Sequence, residues 1–522
     1  MATATASRAE VRPQSRIATI LYAAVFFGVP LLLLHGGCLA LPYFWDELGQ
    51  FVPAALDILR DGAWVPRSTL PNVHPPGVMA YLAFTWKLFG YSIPATRLAM
   101  LALADVGLIA LFFLSVEICK PLRGAPAFMP VVLLLASPLF FTQSMMAQLD
   151  MPAMVFTVLA LYFFVRDRFA WCAAACTALV LAKETGVWIP FVLGVCLLWE
   201  RRQSAVWFLI PLAALCLWLG FLWHATGTIF GNPEFKQYNV WFPLHPVRLS
   251  LTILRRLFFI FIENFHWIGT LALLYALRKA SIFRTRTWTV VAVIAAGHLL
   301  IVSVLGGAAL ERYLLPIVPL FYVAVAAAWT LLPPRWQTWS KIALPAGLIA
   351  SLFWNPPWPF PYENNLAAVD FVKVHANAAE LLEASYSDKV IASAWPFPDA
   401  LRRPEFGYVT HPLKTRGIDD FNRSSVLPLK NEIDVLVVYS RTWDPAYGIL
   451  RIPAVASFFS RYYYYEPQIT REEIDTELGL HSVGRYERRG QWIEIYAREA
   501  PPPNGALVQL RTNPASRLIP LR

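Results

Sequence analysis

The chain has 522 residues, of which 57% are hydrophobic and only 15% charged, and its mean hydropathy is +0.49. Soluble domains average about 45–50% apolar and about 25% charged, which excludes both a wholly soluble enzyme and a disordered chain. The formal charge of +10 lies between apolar runs with no basic stripe interleaved with aromatics, so it excludes a nucleic-acid partner and reads as an orientation signal.

Arg8, Arg12 and Arg16 precede an apolar run over 17–42 that is long enough to span a membrane. Small residues follow it (Gly36, Gly37, Cys38, Ala40), as at a cleavage site, but the residues just beyond look functional, so the run is read as a retained span. Further apolar segments fall near 97–118, 125–141, 151–165, 169–182, 186–199, 204–223, 251–277, 287–305, 313–332 and 340–354. That gives about eleven spans, several of them short. With the N-terminus inside, the inside loops hold Arg8, Arg12, Arg16, Lys120, Arg123, Arg166, Arg168, Arg201, Arg202, Arg278, Lys279, Arg284, Arg286, Arg335 and Lys341. The longer outside loops hold only Arg60, Arg67, Lys183, Lys236, Arg248 and Arg312. The bias satisfies the positive-inside rule and places the C-terminal part outside.

The first outside loop, 43–96, contains two short amphipathic stretches, around Phe51, Ala55, Ile58 and Leu59 and around Val78, Tyr81, Leu82, Phe84, Leu88 and Phe89. Both suit helices lying in the membrane plane. Beyond 356 the composition changes. Asn355-Pro356-Pro357-Trp358-Pro359-Phe360-Pro361 reads as a stiff linker. A helix near 364–384, strands at 389–394 and 433–440, a helix near 446–460 and a hairpin of 482–488 with 491–497 around Arg489-Gly490 follow. The expected architecture is a polytopic α-helical membrane protein with a small C-terminal α/β or α+β extracytoplasmic domain. Its parts are a cytoplasmic N-terminus (1–16), a transmembrane domain (17–355), the extracytoplasmic domain (356–500) and a disordered tail (501–522). No internal repeat is visible. The six Cys lie in or at the ends of apolar segments, so they form no disulfide framework and no metal pair.

Motifs for nucleotide binding, zinc proteolysis and serine hydrolysis are absent. What remains is a set of polar residues that the topology puts on the outer face. Asp46-Glu47 stands behind Tyr43-Phe44-Trp45 at headgroup depth, where carboxylates are costly unless used or paired. Asp46 can cap the helix that follows and still face a cleft. His74 sits in the rigid turn Pro71-Asn72-Val73-His74-Pro75-Pro76-Gly77. Gln148 and Asp150 open the fourth span, where Asp150 is placed to cap. Lys183-Glu184 lies between spans five and six, as an interfacial ion pair or as part of a site. Arg255, Arg256 and Glu311-Arg312-Tyr313 put cations at the outer face against the positive-inside pattern. An anionic partner such as a phosphate explains them.

The Asp-Glu pair after the first span, the His-Pro-Pro turn, the Gln-x-Asp before the fourth span and Glu-Arg-Tyr-x-x-Pro-x-x-Pro over 311–319 resemble the GT-C glycosyltransferases. The nearest branch is that of the protein O-mannosyltransferases and the lipid A aminoarabinose transferases. The resemblance covers about 40–330. It implies a polyprenyl-phosphate sugar donor and a glycan, lipid or protein acceptor on the outer face of the inner membrane. It also implies that Asp46 acts on the acceptor. The expected catalytic set is Asp46, Glu47 and Asp150. His74, Lys183, Arg255, Arg256, Arg312 and Tyr313 are expected to bind the donor phosphate, supported by Gln148, Glu184 and Glu311. Some members carry a divalent metal in this loop, whose ligands would come from Asp46, Glu47, His74, Asp150 and His245. Family members often have Leu after the two prolines, where this chain has Gly77. The competing classes are a transporter or flippase of lipid-linked sugars, whose mid-span acids would be Asp105, Glu117 and Glu263, and an inactive glycan-binding scaffold.

Overall fold

The computed structural model describes residues 16–279, 281–354, 363–441 and 448–499. The expected linker and tail, and most of the expected cytoplasmic N-terminus, fall outside the described residues. The chain divides into two compact units, one running up to residue 369 and one from residue 370 onward.

The first unit is helical. Among the described residues, four helices are long and apolar enough to cross a membrane by themselves: Ala18–Cys38, Ile93–Cys119, Gln203–Thr226 and Arg286–Val304. Gly77–Phe89, Asp150–Val165, Phe169–Ala182, Glu184–Trp199 and Val318–Trp329 are shorter apolar helices. The apolar run 125–141 is broken where Ser137-Pro138 ends one helix, Met129–Ala136, and starts another, Pro138–Gln143. The run 251–277 is likewise two helices, bent by 44°. Asn264 (φ 53°) and Phe265 (φ 65°) take left-handed backbone at the bend. Glu263 therefore stands at the break between these two helices. Glu117 forms an ion pair with Arg166.

The helices pack through small residues. Ile93–Cys119 lies on Asp150–Val165, which lies on Phe169–Ala182. A Cβ at Gly107 would stand 3.0 Å from both Met154 and Val155, so glycine sets how closely the first pair approaches. His35 closes the first helix. Its ring bonds the Leu31 carbonyl at 2.8 Å, the Phe141 carbonyl at 2.8 Å and the Ser144 hydroxyl at 3.0 Å.

The segment between the first and second long helices contains two helices, Val52–Asp61 and Gly77–Phe89, at the two amphipathic stretches read from sequence. It is anchored by an ion pair. Glu47 and Arg97 are 0% and 1% exposed and bonded to each other. Glu47 also accepts from the backbone N–H of Phe44 (2.8 Å) and Ala147 (2.6 Å). Arg97 also donates to the carbonyls of Met145 (3.0 Å), Leu41 (3.2 Å) and Pro42 (3.1 Å). Asp57 holds the loop between the two helices, accepting from the N–H of Arg67 (2.7 Å) and Ser68 (2.8 Å).

Among the described residues, the second unit is a five-stranded mixed sheet with helices. The strands are β1 (Ile391–Ala394), β2 (Thr415–Ile418), β3 (Val435–Tyr439), β4 (His481–Arg488) and β5 (Gln491–Ala497), in the order β2-β1-β3-β5-β4. β1 runs parallel to both neighbours, and β5 is antiparallel to β3 and β4. Arg489 (φ 47°) and Gly490 (φ 84°) form the two-residue turn of the expected hairpin. β2 was not legible, because Thr415-Arg416-Gly417-Ile418 is an edge strand with only Ile418 buried.

Removing one partner of the Glu47–Arg97 pair strands a buried charge, at a cost of about 3–5 kcal/mol. Glu47→Gln and Arg97→Leu should each lower the melting temperature of the detergent-purified protein sharply. The double variant should lose less than the worse single one.

Candidate functional site

The site is built around Arg312, in the short turn Glu311–Leu314. Its side chain is 3% exposed and faces three carboxylates from distant parts of the chain. Asp46 bonds its Nη2. Glu363 lies 3.0 Å from its Nε without the alignment of a hydrogen bond. Asp150 lies 3.5 Å from the same nitrogen. Asp150 is also paired with Lys183 Nζ at 2.5 Å. Both aspartates stand where helices begin, but neither spends its carboxylate on the helix end. Asp46 makes no capping bond, and Asp150 is the first helical residue, with Leu149 in the capping position.

The tyrosine next to Arg312 gathers the cations. Lys183 Nζ is 4.2 Å from the Tyr313 ring centroid, and the guanidinium carbons of Arg312 and Arg256 are 5.4 and 5.6 Å from it. Arg256 is 1% exposed. All three of its side-chain nitrogens are buried with no hydrogen-bond partner among the described residues, and Nη1 of Arg312 is in the same state. Buried guanidinium groups are costly without partners. Three cations thus converge on one ring with five guanidinium nitrogens unsatisfied among the described residues, an arrangement chemically able to hold an anion. Arg255 lies apart from it. Its guanidinium is bonded to Glu311, with Nη2–Oε1 2.7 Å and Nε–Oε1 2.8 Å.

His74 completes the arrangement from the first loop. Its Nδ1 is 2.8 Å from Glu184 Oε2, and Glu184 follows Lys183 in the chain. The turn that carries it is fixed on several sides. Trp218 Nε1 donates to the Val73 carbonyl at 2.8 Å, and Asn72 Oδ1 accepts from the His74 N–H at 3.0 Å. Gly77 explains the departure from the family pattern. A Cβ there would stand 2.4 Å from the Leu181 carbonyl oxygen, so the turn lies directly on the chain leading to Lys183-Glu184. Phe51, His74 and Trp218 also line a small pocket, with Gln50, Thr69 and Asn72 as its amide and hydroxyl groups.

The structure thus brings together Asp46, Asp150, Lys183, Arg256, Arg312 and Tyr313. His74 is joined through Glu184, and Gln148 through Glu363, whose Oε2 accepts from Gln148 Nε2 at 3.2 Å. Glu47 stands apart from this group: its carboxylate is buried in the ion pair with Arg97. Arg255 and Glu311, both expected at the site, are bonded to each other. Glu363 and Arg97 were not picked out by sequence. Glu363 lies in a polar stretch after the last apolar segment and carries no motif. Arg97 opens the span 97–118 as a cation on the outer side, the same signal that singled out Arg312. A divalent metal does not fit this arrangement. Among the described residues no three His, Cys, Asp or Glu side chains are grouped to hold one. Cations already stand between Asp46 and Asp150, and His245 Nδ1 accepts from the Val247 N–H at 3.3 Å at a helix start.

The helical fold expected from the motifs is similar to that of solved membrane-protein structures. The chain matches the apo crystal structure of ArnT from Cupriavidus metallidurans with TM-score 0.53 and 15% identity, over 93% of this chain and 100% of that one. The same protein bound to undecaprenyl phosphate matches with TM-score 0.51 and 15% identity, over 92% and 98% of the two chains. The archaeal oligosaccharyltransferase AglB from Archaeoglobus fulgidus matches with TM-score 0.46 and 10% identity, over 81% and 70%. No protein-family model matches the chain, and no curated protein matches it.

Replacing Gly77 by Leu forces the His74 turn off Leu181. A clash of this kind costs typically about 1–3 kcal/mol. The Gly77→Leu protein should melt earlier than wild type, and Gly77→Ala should fall between the two.

Proposed function

We propose that this chain is a membrane glycosyltransferase that moves a sugar from a polyprenyl-phosphate donor to an acceptor on the outer face of the membrane. The observation that carries the reading is Arg256, a buried guanidinium with no hydrogen-bond partner among the described residues, beside Lys183, Arg312 and Tyr313. A phosphate satisfies it, and the solved structure of ArnT with undecaprenyl phosphate supports a lipid-linked phosphate as the source. In this reading the first unit crosses the inner membrane about eleven times, with the N-terminus inside and the C-terminal unit outside.

The chemistry follows from the charges. Arg256, Lys183 and Arg312 hold the donor phosphate and stabilise the charge that builds up on it. The acceptor hydroxyl or amine attacks the anomeric carbon from the face opposite the phosphate. Its oxygen or nitrogen bonds that carbon as the carbon–oxygen bond to phosphate breaks, and the electron pair leaves with the phosphate, so configuration inverts. The acceptor's proton passes to a carboxylate. Asp46 is the choice, because it is 14% exposed where Asp150 is 3% exposed and tied to Lys183. Phosphate binding to Arg312 releases Asp46 for that role. His74 and Glu184 hold the loop against the site.

The test is transfer in membranes supplied with labelled undecaprenyl-phosphate sugars, alongside binding of undecaprenyl phosphate to the purified protein. Asp46→Asn should cut transfer by about 10²–10⁴-fold, the usual worth of a general base, and leave binding of the lipid in place. Arg256→Gln should weaken binding itself. Unchanged transfer in Asp46→Asn removes that residue from the mechanism. Unchanged binding in Arg256→Gln removes the anion site.

A further inference from the structure

Glu363 holds no place in the scheme above, yet it is built into the site more firmly than a loop residue needs to be. Its backbone carbonyl accepts from Thr142 Oγ1 at 2.7 Å and Gln143 Nε2 at 3.0 Å, both from the helix Pro138–Gln143. Three residues later, the Leu366 N–H donates to the Leu352 carbonyl at 3.2 Å. These bonds hold its carboxyl group against Arg312, whose turn lies about fifty positions earlier in the chain.

The charges around it are unevenly shared. Facing Glu363 are Arg312, Asp46 and Asp150, with Lys183 beyond on Asp150 and Tyr313 and the His74–Glu184 pair next to them. Among the groups that face Arg312, three carboxylates share two cations, Arg312 and Lys183. Asp46 has a direct bond to Arg312, and Asp150 has Lys183 at 2.5 Å. Glu363 has a misaligned contact and one amide donor at 3.2 Å. It is the least compensated of the three. Burial pushes its carboxyl up to about 7, against the pull of Arg312. A phosphodiester entering beside Arg256 and Arg312 competes with Glu363 for the Arg312 guanidinium.

We propose that Glu363 is a displaceable counterion of the donor site, taking up one proton from solvent as the donor phosphate enters and so releasing Arg312 to the phosphate. The inference rests on the reading of the site as a lipid-phosphate site and adds to it the residue that keeps its charge in balance. Glu363 acts through Arg312 and is a positioning residue.

The linkage has a definite sign. Glu363 is charged in the empty site above about pH 7 and neutral in the loaded one, so affinity for an anionic lipid falls as pH rises through that value. The probe is undecaprenyl methyl phosphate, a diester with no second ionisation of the kind that a phosphate monoester has near pH 6. It is titrated into the full-length protein in nanodiscs by calorimetry, in buffers of different ionisation enthalpy. Wild type should take up about one proton per lipid at alkaline pH, and its affinity should fall about tenfold per unit above pH 7. Glu363→Gln should take up none, bind with an affinity flat in pH, and hold the lipid more tightly than wild type at pH 9. Where Glu363→Gln does not fold, Glu363→Asp carries the test, because a changed carboxyl must move the midpoint of the affinity profile. Uptake retained in Glu363→Gln, or an unmoved midpoint in Glu363→Asp, overturns the proposal. Binding that depends on Arg256 but not on pH in wild type overturns the role of Glu363 alone. A wild-type protein that does not bind the diester removes the site and this proposal together.

Discussion

A guanidinium held away from water must be compensated where it stands, and the arrangement of the first unit follows from meeting that demand at Arg312. Its carboxylates come from the loop after the first helix, from the start of Asp150–Val165 and from the segment after the last helix of the unit. Three parts of the chain that are far apart in sequence are thereby drawn to one point. Lys183 is drawn in behind Asp150, and Tyr313, next in sequence to Arg312, gathers Lys183 and Arg256. The surplus falls on Arg256, whose nitrogens are left bare among the described residues. An uncompensated charge of this kind is a fault in a purely structural core and a recognisable feature in a binding site.

Two adjacent carboxylates illustrate how sharply the backbone divides these roles. Trp45 takes a left-handed conformation, φ 47°, which is rare for a bulky residue and marks strain held by its surroundings. After that turn, Glu47 reaches into the buried clamp with Arg97, while Asp46 reaches Arg312 and keeps some exposure. The clamp fixes where the chain leaves the first helix, and that fixed exit lets Asp46 meet a residue more than 260 positions away. Structural and chemical duties are thus separated by one peptide unit.

Much of this was legible because charge is expensive next to a membrane. Asp46, Asp150, Lys183, Arg256 and Arg312 stood out as ionisable residues at the ends of apolar runs, and the structure brings all of them together. The prolines around His74 predicted a rigid turn, and Gly77 lies where a side chain would meet Leu181. What was not legible has a common cause. Glu47 and Asp46 look alike in sequence, and only the partner, Arg97, tells them apart. Glu363 lies in polar surroundings, so its charge carries no local signal of cost. Its burial is imposed by Thr142, Gln143 and Arg312, which the chain brings in from elsewhere. The span count suffered from a similar limit. Apolar runs were visible, but the break at Ser137-Pro138 and the bend at Asn264 depend on capping and backbone geometry that hydropathy does not record.

The decisive observation is a structure of the full chain in a lipid nanodisc with undecaprenyl phosphate. The phosphate should lie within hydrogen-bond distance of Arg256 and beside Tyr313, with Arg312 turned from Glu363 toward it. A phosphate bound elsewhere, with the Arg256 nitrogens still unpaired and Arg312 unmoved, would contradict the assignment of these cations to a lipid-linked donor.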